Sequence, residues 1–332
     1  MRASPIFAAL AFAVGLGSAH GAEPVKIRIG WIAPPDASLF MWGKQGIAKH
    51  EGTSYTLDFV HFQGSPPIIT ALAVDEVDIA PLSYPSFTSA VGNAALGDLR
   101  IVADMFQDGV EGWYTNQYMV LNDSPIKTVQ DLKGKIYVTN AIGAAPDIAL
   151  RAMLRKHGLD DKKDITIIEG AFPNMRALLA DHKVDIIMTP PPFSEETALR
   201  SIARTLFTMK DAVGVSQLLV LGGRKGFLDK NRAAVVDYME DFLRELHWYS
   251  DPANHEEAVK IVSAFTKTPP QVWQSWLYTK GDSYRDPNGR PNIAAFQSNV
   301  DMLHDLGFPN SAVDVSKYVD LSLMDEAAKR LR

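Results

Sequence analysis

The sequence predicts an α/β fold built from two similar lobes, each a doubly wound sheet. The first observation is that the N-terminal part of the chain alternates strand and helix patterns in the order β-α-β-α-β. The second is that residues 71–87 recur, with changes, about a hundred residues later as residues 177–193. A supersecondary unit used twice at this separation indicates two similar lobes rather than a short-period solenoid.

Each copy of this repeat predicts a helix end, a turn, a short buried strand and a Pro-rich loop. The alignment assumes one inserted residue in the second copy and pairs Ala71-Leu72 with Ala177-Leu178, Asp75 with Asp181, and Val77-Asp78-Ile79 with Val184-Asp185-Ile186. Ligands bind beyond the carboxyl ends of strands in open α/β sheets, so two such loops predict a cleft. The aligned residues Asp78 and Asp185 could form a carboxylate pair, but their place before a buried strand favours capping of the preceding turn.

Composition narrows the class of protein. The 332 residues suffice for two domains, and the hydrophobic content of 46% allows each lobe a core. The net charge of -6 argues against a nucleic-acid partner. Because the chain has no cysteine, disulfides, thiolate metal sites, a cysteine nucleophile and a lipidated N-terminal cysteine are excluded.

Residues 1–22 are predicted to be a signal peptide. Arg2 supplies the positive charge, Ile6 to Gly17 the apolar segment, and small residues allow cleavage between about Ala19 and Ala22. A membrane anchor is the alternative, but the apolar run is shorter than the ~20 residues that a span needs. We therefore expect an exported, soluble protein of a Gram-negative periplasm.

Lobe 1 is assigned to residues 23–117 and 213–332, and lobe 2 to residues 118–212. Alternating or apolar runs predict strands at Lys26–Ile32, Tyr55–His61, Leu99–Ala103, Tyr118–Leu121, Lys135–Val138, Ile165–Ile168 and Val215–Leu221, the last returning to lobe 1. Amphipathic runs and stop signals predict helices around Leu39–Ile47, after Ser65, at Val129–Lys135, Ile148–His157 and Asp229–Ser250, from Pro269, and at Ile293–Leu306 and Met324–Leu331. The segment 105–114 is expected to be a loop that crosses between the lobes.

The order of these parts resembles the periplasmic substrate-binding proteins of the nitrate/sulfonate/taurine ABC transporter family. The resemblance rests on Gly64-Ser65-Pro66, Glu76-Val77-Asp78-Ile79-Ala80, Asn122-Asp123-Ser124-Pro125-Ile126, Asp131-Leu132-Lys133-Gly134-Lys135, Val184-Asp185-Ile186 and Pro190-Pro191-Pro192-Phe193. It implies a type II-like two-lobed fold with a ligand cleft at the hinge, which closes on the ligand. It also implies a small anionic ligand, an inner-membrane ABC permease as partner, and a monomer.

The binding residues implied by the resemblance lie in loops before helices, where backbone N–H groups can hold an anion. They are Asp36, Gln63, Gly64, Ser65, Ser83 and Tyr84 in lobe 1, and Asn140, Gly143, Ala144, Ala145 and the loop at Pro191 in lobe 2. The aromatic residues Trp113, Tyr114 and Phe193 are further candidate ligand contacts by their residue type, and packing at the hinge is the alternative for Trp113 and Tyr114. Ser65 is also expected to cap its helix, with Pro66 as the first helical residue. The aromatic residues favour an organosulfonate, the class that includes taurine, or an aromatic carboxylate. Nitrate is less favoured because it has no organic body on which aromatic rings could pack.

No catalytic residue, cofactor or metal is predicted. The eight histidines are scattered, and His255-Glu256-Glu257 lacks the second histidine of a zinc-protease motif. The alternative from another class is an enzyme similar to thiamine-pyrimidine synthase. That enzyme uses pyridoxal phosphate and needs a cysteine-rich segment, and this chain has no cysteine. A binder of a neutral or cationic pyrimidine, with Asp36 as counter-ion, is a nearer alternative. A third is a sensor partner that presents its ligand to a receptor and not to a permease.

Overall fold

A computed structural model describes residues 23–32, 44–93 and 96–331 of the chain. It contains two five-stranded mixed sheets. The strands are β1 Val25–Trp31, β2 Tyr55–His61, β3 Ile79–Ser83, β4 Leu99–Asp108, β5 Gln117–Leu121, β6 Lys135–Thr139, β7 Ile165–Glu169, β8 Ile186–Met188, β9 Ala203–Thr208 and β10 Ser216–Arg224. The predicted signal peptide, the predicted helix from Leu39 as far as residue 43, and Asp36 lie outside the described residues.

The α-helices cover both sheets and the C-terminal third of the chain. They are α1 Ser65–Ala73, α2 Tyr84–Gly92, α3 Ala145–Lys156, α4 Phe172–Ala180, α5 Thr197–Ile202, α6 Met209–Val213, α7 Lys225–Lys230, α8 Arg232–Ser250, α9 His255–Thr266, α10 Ile293–Asp305 and α11 Ser322–Arg330. Short 3-10 helices lie at Val129–Leu132, Phe193–Glu195, Pro252–Asn254, Pro270–Val272 and Val315–Tyr318. Helices α8, α10 and α11 pack against strands β2, β10 and β4 respectively, so the C-terminal helices cover the first sheet.

The two sheets share one topology. Sheet 1 has the order β2-β1-β3-β10-β4 and sheet 2 the order β7-β6-β8-β5-β9. In each sheet three neighbouring strands are parallel, β2-β1-β3 in sheet 1 and β7-β6-β8 in sheet 2. Two further strands, β10 and β4 or β5 and β9, continue the sheet with antiparallel pairing. The chain enters β10 and β5 directly after it crosses from the other sheet. The elements around sheet 1 form lobe 1 and those around sheet 2 form lobe 2, so the predicted two-lobed α/β fold is confirmed. The exact lobe boundaries near residues 117 and 212 stay a prediction.

The repeat is real, but its predicted alignment is wrong by one residue. Helices α1 and α4 end at Ala73 and Ala180, and the following turns place Asp75 and His182 in the left-handed region, at φ 55° and 54°. Asp75 therefore corresponds to His182, not to Asp181, and no residue is inserted. Matching identical aspartates misled the alignment, because the turn is defined by backbone conformation and not by side-chain identity.

The two repeated aspartates link neighbouring strands of their sheets. An oxygen of Asp78 accepts the backbone N–H of Arg28 in β1 at 2.8 Å, and an oxygen of Asp185 accepts that of Ile136 in β6 at 2.8 Å. Asp78 is buried and also pairs with the Arg28 guanidinium, whereas the Asp185 side chain is about a third exposed. Their role is structural, as expected, although they join adjacent strands and do not cap the preceding turn.

Several predicted elements differ in the structure. Residues 84–87 begin helix α2 instead of a Pro-rich loop, since Pro85 fits the first turn of a helix. Strand β4 extends to Asp108, five residues beyond the prediction, because β10 pairs along it. The segment from Pro269 forms only the 3-10 turn Pro270–Val272, and the predicted long helix 229–250 is interrupted at Asn231, between α7 and α8.

Helix α8 carries a buried carboxyl group, that of Glu245. Glu245 is fully buried, and among the residues that the structure describes neither of its oxygens has a hydrogen-bond donor. Burial, followed by the charges of Asp241 and Glu51, raises the pKa of Glu245 well above its usual value. The folded protein therefore holds this proton to a higher pH than the unfolded chain does.

We predict that Glu245→Gln raises the free energy of unfolding at pH 8 by about 1–3 kcal/mol. With a raised pKa in the folded state, the stability contributed by Glu245 is complete below about pH 4.5 and declines as the pH rises. Calorimetric melting at pH 4 and pH 8 should show the gain only at the higher pH. Glu76→Gln, at an exposed position, is the control. A variant less stable than the parent protein at pH 8 would contradict the assignment of a neutral, unpartnered Glu245.

Candidate ligand-binding cleft

A cavity lies between the lobes at the carboxyl ends of β3 and β8. It encloses about 680 Å³ including its open mouth, a size suited to a small organic molecule. Both lobes contribute to its largely apolar wall. The lining residues are Ile32, Gly64, Ser65, Ser83, Phe106, Asn116, Asn140, Ala144, Ala145, Pro146, Phe172, Met188, Pro190, Pro191, Leu218, Leu219, Asp282, Ser283 and Arg285.

Four helices begin at this cavity. The residues Gly64, Ser83, Ala144 and Ala171 precede α1, α2, α3 and α4, and none of them makes a side-chain capping hydrogen bond. Each helix has proline in its first two positions, where the missing N–H costs nothing. Because helix N-termini carry partial positive charge and free N–H groups, the four ends together favour an anion in the cavity.

The lobes contact each other directly at the edge of the cavity. The Nδ2 of Asn140 donates to the carbonyl oxygen of Gln63 at 2.7 Å, and the Oγ of Ser86 donates to the carbonyl oxygen of Gly143 at 3.1 Å. Gly64 lies against the same asparagine, where a Cβ atom would be 2.8 Å from Nδ2. The structure is therefore a closed form of the cleft, and glycine at position 64 permits the close approach.

The prediction that Ser65 caps its helix is wrong. Gly64 is the N-cap, and Ser65 is the first residue of α1. The Ser65 hydroxyl accepts the backbone N–H of Ser83 at 2.9 Å and lies 3.4 Å from the carbonyl oxygen of Pro81. It therefore joins α1 to the end of β3, and its side chain is engaged within the protein at the cavity wall.

The structure brings half of the predicted binding residues to the cavity wall: Gly64, Ser65, Ser83, Asn140, Ala144, Ala145 and Pro191. Pro191 is followed by a cis peptide bond to Pro192. Gln63 contributes its carbonyl to the contact with Asn140, and the N–H of Gly143 donates to Asp147 at 2.8 Å. These two residues support the loop without lining the cavity.

The predicted aromatic residues pack behind the cavity. Tyr84 is fully buried, and the Tyr114 hydroxyl bonds to the Ser194 hydroxyl at 3.0 Å. Trp113 packs edge-on against Tyr284 with ring centroids 5.3 Å apart, and Phe193 stacks on Phe172 at 6.4 Å. Among the described residues, the aromatic side chains that line the cavity are Phe106 and Phe172, and neither was predicted.

Sequence reasoning missed the charged part of the wall. Arg285 and Asp282 lie in an irregular segment after Pro270–Val272. An isolated β-bridge between Tyr284 and Gln107 and hydrogen bonds to Asp104 join this segment to β4. No motif marks this segment, so tertiary contact alone places it at the cavity. Asn116 was also missed, although its position just after the predicted crossing segment is a usable signal.

The electrostatics of the wall are set by burial. The Nη1 of Arg285 donates to Asp282 at 3.0 Å. Burial lowers the pKa of Arg285, but Asp282 and nearby tyrosines raise this pKa by more. The guanidinium therefore stays charged. Burial raises the pKa of Asp104 to about 7 and that of Asp108 to about 6. The two β4 carboxyls are therefore partly protonated near neutral pH, which reduces the negative charge beside the cavity.

A second cluster has side chains that could hold a metal ion: His50, Asp237 and Glu240. Its carboxylates are already paired with cations. Arg330 lies 2.6 Å from Asp237 and 3.8 Å from Glu240, and Arg244 also bonds to Glu240. We interpret this cluster as an ion-pair network between α8 and α11.

Solved structures of periplasmic binding proteins share this two-lobed α/β fold. An alkanesulfonate-binding protein from Xanthomonas axonopodis pv. citri, bound to MOPS, superposes with a TM-score of 0.68 at 21% identity, covering 90% of this chain and 99% of that one. The periplasmic nitrate-binding protein of Synechocystis PCC 6803 gives a TM-score of 0.72 at 17% identity, covering 93% and 90%. At these identities the likeness establishes the fold.

Sequence comparison establishes the family. Residues 20–263 match the model of the NMT1-like family, and the chain belongs to this family. It is also 24% identical over 309 residues to a putative aliphatic sulfonates-binding protein of Escherichia coli strain K12, which covers 90% of this chain and 89% of that protein. Among the helices that the structure describes, none has both the length and the apolar character needed to cross a membrane.

Proposed function

We propose that this protein is the periplasmic solute-binding component of an ABC importer and captures a small organic anion. The observation that carries the proposal is the meeting of four uncapped helix N-termini at one apolar interlobe cavity. The protein acts as a monomer, exported by its N-terminal signal peptide, and delivers the ligand to an inner-membrane permease. It carries out no chemistry of its own.

The ligand class follows from the two parts of the wall. Partial positive charge from the helix ends and the Arg285 guanidinium attracts a sulfonate or carboxylate head. Side chains such as Phe106, Phe172 and Leu219 surround an organic body. An organosulfonate or an aromatic carboxylate satisfies both parts, whereas nitrate leaves the apolar wall without a partner. The sulfonate relatives support the first of these two classes.

Titration calorimetry of the exported protein, refolded free of ligand, against aliphatic sulfonates, aromatic sulfonates, aromatic carboxylates and nitrate tests the proposal. We expect heat from at least one organic anion and a rise in melting temperature that grows with its concentration, since a ligand that binds only the folded state adds about 2.7 kcal/mol at 100 times its Kd. Binding of nitrate alone would contradict the organic ligand. Absence of binding by every anion, with a neutral ligand bound instead, would contradict the anionic class.

A further inference from the structure

Two asparagine side chains of the cavity wall keep buried oxygens without a donor. Asn116 and Asn140 are 3% and 5% exposed, and both line the cavity. The Oδ1 atom of each has no hydrogen-bond partner among the residues that the structure describes. A buried acceptor without a donor typically costs about 1–3 kcal/mol, so native proteins keep few of them.

The orientation of both amides is fixed by the partners of their nitrogens. The Nδ2 of Asn140 donates to the Gln63 carbonyl oxygen at 2.7 Å, and that of Asn116 donates to a carboxyl oxygen of Asp108 at 2.8 Å. The same Asp108 oxygen also accepts the backbone N–H of Asn116 at 2.8 Å. Both partner oxygens act as acceptors, so turning either amide around would place oxygen against oxygen. Each Oδ1 is therefore held on the other side of its amide, and it can only accept.

Other unpartnered polar atoms near the cleft do not carry the same information. The hydroxyls of Tyr84 and Thr189 are also buried and have no partner in the described part of the chain. A hydroxyl can donate or accept, so it suits a ligand of either kind. The two amide oxygens differ from these hydroxyls because an amide oxygen can only accept a hydrogen bond. A group that satisfies them must therefore donate an N–H or an O–H.

We infer that the ligand of this cleft is an organic anion that also carries a hydrogen-bond donor, an amino, amide or hydroxyl group, which Asn116 and Asn140 accept. The inference rests on the proposed function and narrows its ligand class. An anion without a donor leaves both oxygens unsatisfied in the closed cleft. Sites that offer a buried polar partner discriminate strongly against analogues that lack the matching group.

Matched ligand pairs test the inference on the wild-type protein. The pairs are benzenesulfonate with its amino and hydroxy derivatives, benzoate with its amino and hydroxy derivatives, and ethanesulfonate with 2-hydroxyethanesulfonate. We expect the donor-bearing member of at least one pair to bind about tenfold or more tightly by titration calorimetry. If anions bind but no donor improves affinity in any pair, the inference fails while the proposed function stands. If no anion binds, the proposed function fails.

Variants then locate the donor. In Asn116→Leu or Asn140→Leu, the affinity ratio within the preferred pair should fall to about twofold or less. The ratio is the readout because Asn140→Leu also removes the contact with Gln63, which affects both ligands alike. Asn122→Leu, at an amide that bonds to the Ser201 carbonyl outside the cavity, should keep the wild-type ratio. A ratio unchanged in both cavity variants would overturn the assignment, and if a variant fails to fold, the remaining variant and the wild-type pairs still decide.

Discussion

Gly64→Ala is expected to weaken binding of the ligand by about 10- to 100-fold while leaving the unliganded protein folded. The added methyl group would lie 2.8 Å from Asn140 Nδ2 and 3.0 Å from Ala141 Cβ, and both atoms belong to lobe 2. Overpacking of this kind costs about 1–3 kcal/mol, which corresponds to about one to two powers of ten in affinity. The backbone of Gly64 is extended, at φ -179°, so alanine is not strained there.

The cost of this methyl group falls on closure and not on folding, since the lobes can separate to relieve it. Titration calorimetry gives the affinity, and small-angle scattering should show a larger radius of gyration for the variant at saturating ligand. Gly226→Ala is the matched control, because a Cβ atom at that position has no neighbour within 4 Å. An affinity equal to that of the control would mean that the ligated cleft is more open than this structure.

The sequence predicted strands well where one short pattern decides the structure. β2 was predicted with its observed bounds, Tyr55–His61, because its residues alternate between two faces. The sequence pattern of β4 ends at Ala103, because residues 105–108 are ordered by pairing with β10, more than a hundred residues away. Long-range pairing leaves no periodic signal in the segment that it extends.

The candidate site divides in the same way. Gly64, Ala144 and Ala145 could be found because prolines and small residues mark the starts of helices, and these starts lie at the cavity. Arg285 could not be found, since its place in the wall depends on the bridge between Tyr284 and Gln107 and on its pairing with Asp282. The aromatic residues were placed too near the ligand because bulk and polarity alone do not tell a cavity wall from the layer behind it.

The repeated aspartates should differ strongly in their effect on stability. Asp78→Ala is expected to lower the free energy of unfolding of lobe 1 by about 3–4 kcal/mol. It leaves the Arg28 backbone N–H without an acceptor and removes the ion pair of the Arg28 guanidinium at 2.6 Å. Asp185→Ala should cost only about 1 kcal/mol, because its partly exposed site lets water reach the Ile136 N–H, and its Lys135 partner is 3.9 Å away.

Differential scanning calorimetry and hydrogen exchange together measure this difference, since exchange assigns the loss to one lobe. Protection should fall along β1 and β3 in Asp78→Ala, and far less along β6 and β8 in Asp185→Ala. Asp78→Asn separates the two contributions, because an amide oxygen can still accept the Arg28 N–H while the charge is lost, so its effect should be intermediate. Equal losses in the two alanine variants would show that burial does not distinguish these positions. Such a result would mean that each aspartate stabilises the fold only through its hydrogen bond from a backbone N–H of the neighbouring strand, which is 2.8 Å long in both sheets.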